Sequence, residues 1–341
     1  MGEHEPIGLP EPDPEIYRRA RELADRAPLP ARVGSISCGT AGWTDPTLLR
    51  AGTFYPPSAR SPADRLIHYS SHFPIVEVDA TFYAIPAPSV AAQWLDRTPA
   101  QFVFDIKAHP VLTGHAIDRA RLPADLAAAL RSVSPDKKRL YPKDLPAEVS
   151  RELLARLRLF LDPLQQAQRL GCVMVQLPPW TTATRGAVRA IEGLAARLPA
   201  VRIALEFRHP SWMQPERRDR VLAMLRANGL AHVVVDEPQV EGAGVPTVLR
   251  ATHDDLAIIR FHGHNVAGWR KGASVLDRFN YLYAPEMVAA WVQPVRQLAD
   301  QSREVHAVFN NCVRDYAVIG AKNLAALLWT APAPVHEPVA P

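Results

Sequence analysis

Glu206, Arg208 and His209 stand within four residues, at the end of the apolar run RIALEFR that begins at Arg202. A carboxylate beside a guanidinium and an imidazole can hold a small anion or move a proton. Other apolar runs finish in the same way. IVEVDATFY from Ile75 carries Asp79 and Tyr83, FVFDIKA from Phe102 carries Lys107, and CVMVQLPP from Cys172 carries Gln176. LAIIRFHG from Leu256 leads to Arg260, His262 and His264, and EVHAVFNN from Glu304 ends in Asn310. Such groups act together only if the fold brings the ends of these runs to one place.

Eight runs rich in β-branched and aromatic residues recur along the chain: the six above, ISCGTAGW from Ile36 and AHVVVDE from Ala231. Helical patterns separate most of them. One starts at Ser61-Pro62, a cap residue followed by a first-turn proline, and others cover roughly 88–97, 150–169, 185–197, 215–228, 284–300 and 317–329. Gly171 and Gly229 sit where helix C-terminal caps would fall. Strand–helix alternation repeated eight times predicts an α/β TIM barrel, (β/α)8, over residues 35–330 as one domain. Two connections depart from the pattern. That from His109 to Leu170 contains the polar excursion SVSPDKKRLYPKDLP, expected to be exposed over 132–149, and that from Glu237 to Asp255 shows little helical periodicity.

Alternate residues of a barrel strand face the axis. Parity places Glu77, Asp79, Thr81 and Tyr83 on one face of their strand and Val76, Val78, Ala80 and Phe82 on the other. It likewise groups Asp105 with Lys107, Glu206 with Arg208, and Arg260 with His262 and His264. Gln176 falls with Met174, and Asn310 with His306. The apolar faces must meet the helices, so the polar ones point inward, where each charge needs a partner. Glu77, Asp105 and His306 lie deeper and are read as structural. The alternative to a functional site is a polar network that only fills the barrel.

Composition narrows the class. The chain has 341 residues, 48% hydrophobic, with a formal net charge of +4. That excess alone does not call for nucleic acid. Cys38, Cys172 and Cys312 form no C-x-x-C pair and suit a reducing compartment. With no signal-peptide pattern and no apolar run near 18 residues, a soluble cytoplasmic protein is expected, without membrane partners and of bacterial composition. Residues 1–34 form an extension whose part from Pro14 to Arg26 can make an amphipathic helix; the Pro-rich 331–341 tail is expected to be disordered.

Three chemistries compete. In the first, Lys107, Arg208, Arg260 and His262 hold a small anionic or polyhydroxylated ligand and Glu206 moves a proton; Glu206, Lys107 and His262 are then catalytic. Asp79, Tyr83, Gln176, Arg208, Arg260, His264 and Asn310 would contact the ligand, with Trp43, Trp212, Trp180 and Trp269 as aromatic walls. In the second, a divalent metal sits on Glu206, Asp236 and His262, although inward Arg and Lys oppose it and no HExxH spacing supports it. In the third, nucleic acid binds the 119–158 stretch, which holds ten Lys/Arg against five Asp/Glu. No dinucleotide fingerprint, P-loop or GxSxG elbow is present, so no organic cofactor is expected.

A set of short pieces gives a further bearing: GTAGW at 39–43, FYP at 54–56, VEVDATFY at 76–83, FDIKA at 104–108 and VQLPPW at 175–180. EFRHPSW at 206–212, RFHGHN at 260–265, YLYAPEM at 281–287 and FNN at 309–311 complete it. In this order, across about 36–330, they resemble the YecE-like family, domain of unknown function seventy-two. The resemblance implies a TIM barrel and no particular reaction. Two departures bear on ligand choice: Asp79-Ala80 replaces the family's usual Asn-Ser, and His264 stands where Arg is common.

Overall fold

In the computed structural model, residues 11–126, 128–130, 133, 136–240, 244–269 and 274–331 are described. Ten residues at each end of the chain and part of the 132–149 excursion therefore lie outside the described residues.

Eight parallel strands close into a barrel. They are β1 (Ile36–Ala41), β2 (Ile75–Val78), β3 (Val103–Lys107), β4 (Leu170–Gln176), β5 (Ile203–Glu206), β6 (Leu230–Asp236), β7 (Leu256–Phe261) and β8 (Glu304–Phe309). Each pairs with its sequence neighbour, and β8 returns to β1. The strands are buried nearly throughout because helices cover one face and the barrel interior the other. Helices Pro62–His72, Pro88–Asp96, Ala147–Gln166, Arg185–Glu192, Arg218–Ala227, Val292–Ala299 and Tyr316–Thr330 surround it. The Ser61 start is a full capping box with Asp64. Outside them, helix Pro14–Ala24 is tied to the last helix: Tyr17 Oη and Arg21 Nη1 both donate to Asp315 Oδ2 at 2.9 Å.

Two local expectations are corrected. Gly229 is a left-handed helix end (φ +63), but the turn before β4 uses Gln168 (φ +57), and Gly171 lies inside the strand. It must be glycine for another reason. A Cβ there would come within 2.1 Å of Asp105 Oδ1 and 3.1 Å of His306 Cε1, so Gly171 makes room for a buried ion pair. The second concerns β2, which ends at Val78; Ala80–Tyr83 is one helical turn and the alternation stops with the strand. Phe82, expected outward, instead lies 5.7 Å beneath the Lys107 ammonium, while Tyr83 is turned to the rim, 54% exposed.

The long connection after β3 contains an antiparallel ribbon, Ile117–Asp118 with Arg139–Leu140, whose Ile117 and Leu140 are buried. No helix among the described residues is long and apolar enough to cross a membrane.

Candidate active site

Within the strands the pleat sends every second side chain to the axis, and the polar ones stack in three tiers. At the base, His306 Nδ1 bonds Asp105 Oδ2 at 2.9 Å, with Glu304 3.7 Å from the other ring nitrogen. Burial works against charge on His306, but Asp105 and then Glu304 outweigh it, and the imidazolium pKa is pushed up to about 9. In the middle, Arg260, wholly buried, grips both oxygens of Glu77 at 2.8 and 2.6 Å and donates to Glu206 Oε2 at 2.5 Å. Burial pushes the Glu77 carboxyl upward against the pull of Arg260.

The top tier is built on Glu206. Its Oε1 receives Gln176 Nε2 at 2.6 Å, Arg208 Nη1 at 3.1 Å and His262 Nε2 at 3.2 Å. Burial opposes the charge, yet Arg260, the hydrogen bond from His262 and Arg208 hold the carboxyl well below the ordinary carboxylate range. Burial pushes His262 down to about 4, Glu206 notwithstanding, so the ring is neutral near pH 7. Its partners then set the tautomer: Nε2–H faces Glu206, and Nδ1 accepts from Asn310 Nδ2 at 3.0 Å. Across the mouth Lys107 Nζ is 2.9 Å from Asp79 Oδ1, which Lys107 and then Arg260 keep ionised against burial.

Asp79, Lys107, Gln176, Arg208 and His264 are partly exposed and form the accessible ring; Glu206, Arg260, His262 and Asn310 lie beneath it. Glu206, expected to move a proton, is fully buried with its donors in place, and the His262 ring beside it is held neutral down to about pH 4.

A better-placed imidazole is His264. Its Nε2 is 2.8 Å from Asp236 Oδ1, while Tyr283 Oη donates to Asp236 Oδ2 at 2.6 Å and accepts the Gly263 amide at 2.9 Å. The sharp turn at Gly263 (φ +84) releases His264 from the strand and packs on Tyr281, leaving no room for a side chain. Asp236 raises the His264 pKa, with burial opposing, and a third of the side chain is open to solvent. The other ring nitrogen has no partner among the described residues.

Glu206 and His262 adjoin, but Asp236 is engaged by His264 and Tyr283, so the three do not converge as metal ligands. Among the described residues no group of three or more His, Cys, Asp or Glu side chains is arranged to hold a metal ion.

Two expected aromatic walls belong to the core. Trp212 is completely buried, stacked on Phe207 outside β5, with its indole N–H on Thr181 O at 2.7 Å. The depression of about 480 Å³ that it lines therefore opens among the helices and not at the mouth. Trp43 stands edge-on to Trp94 and donates to Pro62 O at 3.2 Å. Tyr83 meets Arg121 at 4.9 Å beside a rim depression of about 220 Å³. The 119–158 cations are in part paired locally: Lys137 with Asp144, and Arg156 with Asp125 and Glu152.

Three residues at the mouth were not singled out from the sequence, although Glu237 closes the run AHVVVDE. Glu237, one residue past β6, accepts Arg208 Nη1 at 2.7 Å and the Val245 amide at 2.8 Å, and burial pushes it up to about 7. Arg278 and Phe279 arrive from a short helix, Val275–Phe279; the Phe279 ring is 6.1 Å from His262. Only their nearness to the YLYAPEM piece could have drawn attention to them.

Comparison with known proteins agrees with this architecture. The sequence profile of the family described as "Protein of unknown function DUF72" matches residues 37–341. The UPF0759 protein YunF of Bacillus subtilis is 32% identical over 297 residues, spanning 86% of this chain and 94% of its own length. A DUF72 family protein of Thermotoga maritima superposes with a TM-score of 0.67 at 28% identity, covering 86% of this chain and 99% of its own. One from Enterococcus faecalis gives 0.69 at 23%, covering 87% and 97%, and speaks to the fold alone. A barrel of this construction, matched over nearly its whole length by that profile and by a relative of this identity, belongs to the DUF72 family.

Proposed function

We propose that the chain is an acid–base enzyme, of hydrolase or isomerase type, acting on a small anionic ligand such as a sugar phosphate at the C-terminal mouth of the barrel. The observation that carries the reading is the Asp236–His264 pair. A buried carboxylate orients a partly exposed imidazole whose second nitrogen is open, the arrangement by which a base is held for proton transfer. The hydrogen bond to Asp236 raises the His264 pKa and so favours a proton on the ring, with burial opposing. Glu206 and His262 supply a fixed field instead, since Glu206 stays ionised and its donors are already in place. Lys107 and Arg208, the accessible cations of the ring, face the ligand's negative charge, and Lys107 can steady charge that develops on a ligand oxygen. Position favours the same reading, because ligands of (β/α)8 proteins bind where strand C-termini meet their loops.

Thermal-shift screening of sugar phosphates, organic acids and divalent metals tests the ligand class. Stabilisation should grow with anion concentration through linkage, and should weaken in Arg208→Ala and Lys107→Ala. Stabilisation by a divalent metal alone, lost in Glu206→Ala and His262→Ala, would replace this reading by a metal-dependent enzyme.

A further inference from the structure

Over the mouth lies a cap made by Val266–Trp269 and Val275–Phe279, packed together at Gly268, where even a Cβ would strike the Asp277 and Arg278 backbone at 2.5 Å. The cap brings two guanidiniums to one indole. Arg208 lies 4.7 Å and Arg278 5.3 Å from the centre of the Trp269 ring. Arg208 is committed to Glu206 and Glu237. Arg278 is in no ion pair among the described residues, and its Nε is buried without a hydrogen-bond partner. The Trp269 indole nitrogen is buried and partnerless in the same way, on a residue only 8% exposed. A buried N–H left unmet costs about 1–3 kcal/mol, and two such donors on side chains in contact are uncommon in a folded chain.

Their chemistry is uniform. Both offer only hydrogen, neither can accept, and a second cation stands beside them. What satisfies both donors, beside that cation, is a compact oxyanion. We infer that Trp269 Nε1–H and Arg278 Nε–H form a preorganised oxyanion seat at the mouth, which takes the phosphate or carboxylate group of the ligand. The inference rests on the reading of the mouth as a ligand site and assigns the end of the ligand remote from His264. Lys107 and His264 then remain for the reacting end.

The test uses the full chain labelled with 5-fluorotryptophan and observed by fluorine NMR during a titration with inorganic phosphate and, separately, acetate. Trp269→Phe identifies the Trp269 resonance. That resonance should move saturably with phosphate, and the midpoint should rise about tenfold to a hundredfold in Arg278→Gln, the usual cost of one charge-assisted hydrogen bond. Arg278→Lys, which keeps the charge but loses the planar fork, should recover only part of the affinity. Circular dichroism melts establish that each variant is folded at the titration temperature, since all three alter the contact between Arg278 and the Trp269 ring. A Trp269 resonance indifferent to phosphate, or an unchanged midpoint in Arg278→Gln, overturns the seat. Binding that survives unaltered in Trp269→Phe but is lost in Lys107→Ala overturns it too, while leaving the mouth as the ligand site. The readout needs no turnover, so failure of the enzyme reading would not disturb it.

Discussion

The Asp105–His306 pair at the base of the barrel allows a stability prediction with a definite sign. His306 is buried and its pKa is raised from the ordinary 6.5 to about 9. A raised pKa means the folded state binds the proton more tightly than the unfolded chain. Its contribution is therefore complete below about pH 6.5 and is lost as pH climbs through 9. The interval from 6.5 to about 9 corresponds to about 3 kcal/mol at 1.36 kcal/mol per pH unit. Replacing His306 alone would leave Asp105 buried without its ion, so the reference is the double variant Asp105→Asn/His306→Gln, which keeps both shapes. Glu304, held down to about 2, is ionised in both proteins over this range and does not interfere. Glu77 and Glu237, whose pKa values are also raised, titrate in both and cancel in the difference. Urea unfolding followed by tryptophan fluorescence, from pH 6 to pH 9.5, gives the difference in unfolding free energy. It should shrink by about 3 kcal/mol toward high pH. A difference that stays flat to within about 1 kcal/mol would mean His306 is not held as the imidazolium, and the account of the base tier would fail.

Gly171→Ala should destabilise by about 3 kcal/mol or more, because the new methyl would collide with Asp105 Oδ1 at 2.1 Å; an unchanged melting temperature would contradict the packing argument. Glu206→Ala leaves Arg260 with Glu77 alone and should cost about 3–5 kcal/mol. Glu206→Gln, which fills the same space and still accepts hydrogen bonds, should cost clearly less, and equal losses in denaturant would refute the network. A short labelled oligonucleotide should show no saturable anisotropy change at physiological salt, given the local pairing around Lys137 and Arg156. Tight binding with a steep salt slope would bring forward the nucleic-acid reading.

The barrel was legible because its strands are buried on both faces and so read as apolar β-branched runs. Inside each strand the pleat is strict. Alternation alone assigns Glu77, Asp105, Glu206, Arg260 and His306 to the interior, and each meets an oppositely charged or hydrogen-bonding group there. Alternation ended where the strands ended. Tyr83 is the last residue of a helical turn, and His264 follows a positive-φ glycine, so parity could not say where either points. Trp43 and Trp212 looked like pocket walls by their place after a strand, but the apolar surface of the helices claims them first. The Asp236–His264–Tyr283 chain and the Glu237–Arg208 contact join segments that follow different strands, and the Arg278–Trp269 contact joins two turns of one loop region. Their meeting depends on loop paths that carry no period.

The central claim is that the mouth turns over a small anionic ligand with His264 as the proton carrier. It is tested most directly by incubating wild type and His264→Asn, side by side, with pools of sugar phosphates and organic acids, and following each compound by proton and phosphorus NMR. His264→Asn removes the imidazole that meets Asp236, so its melting temperature is measured beside the wild type and the assay is run where both are folded. The account predicts that at least one phosphorylated or carboxylated compound is consumed by the wild type and left intact by His264→Asn. Consumption at equal rates by both, or by neither across the pools, would contradict it.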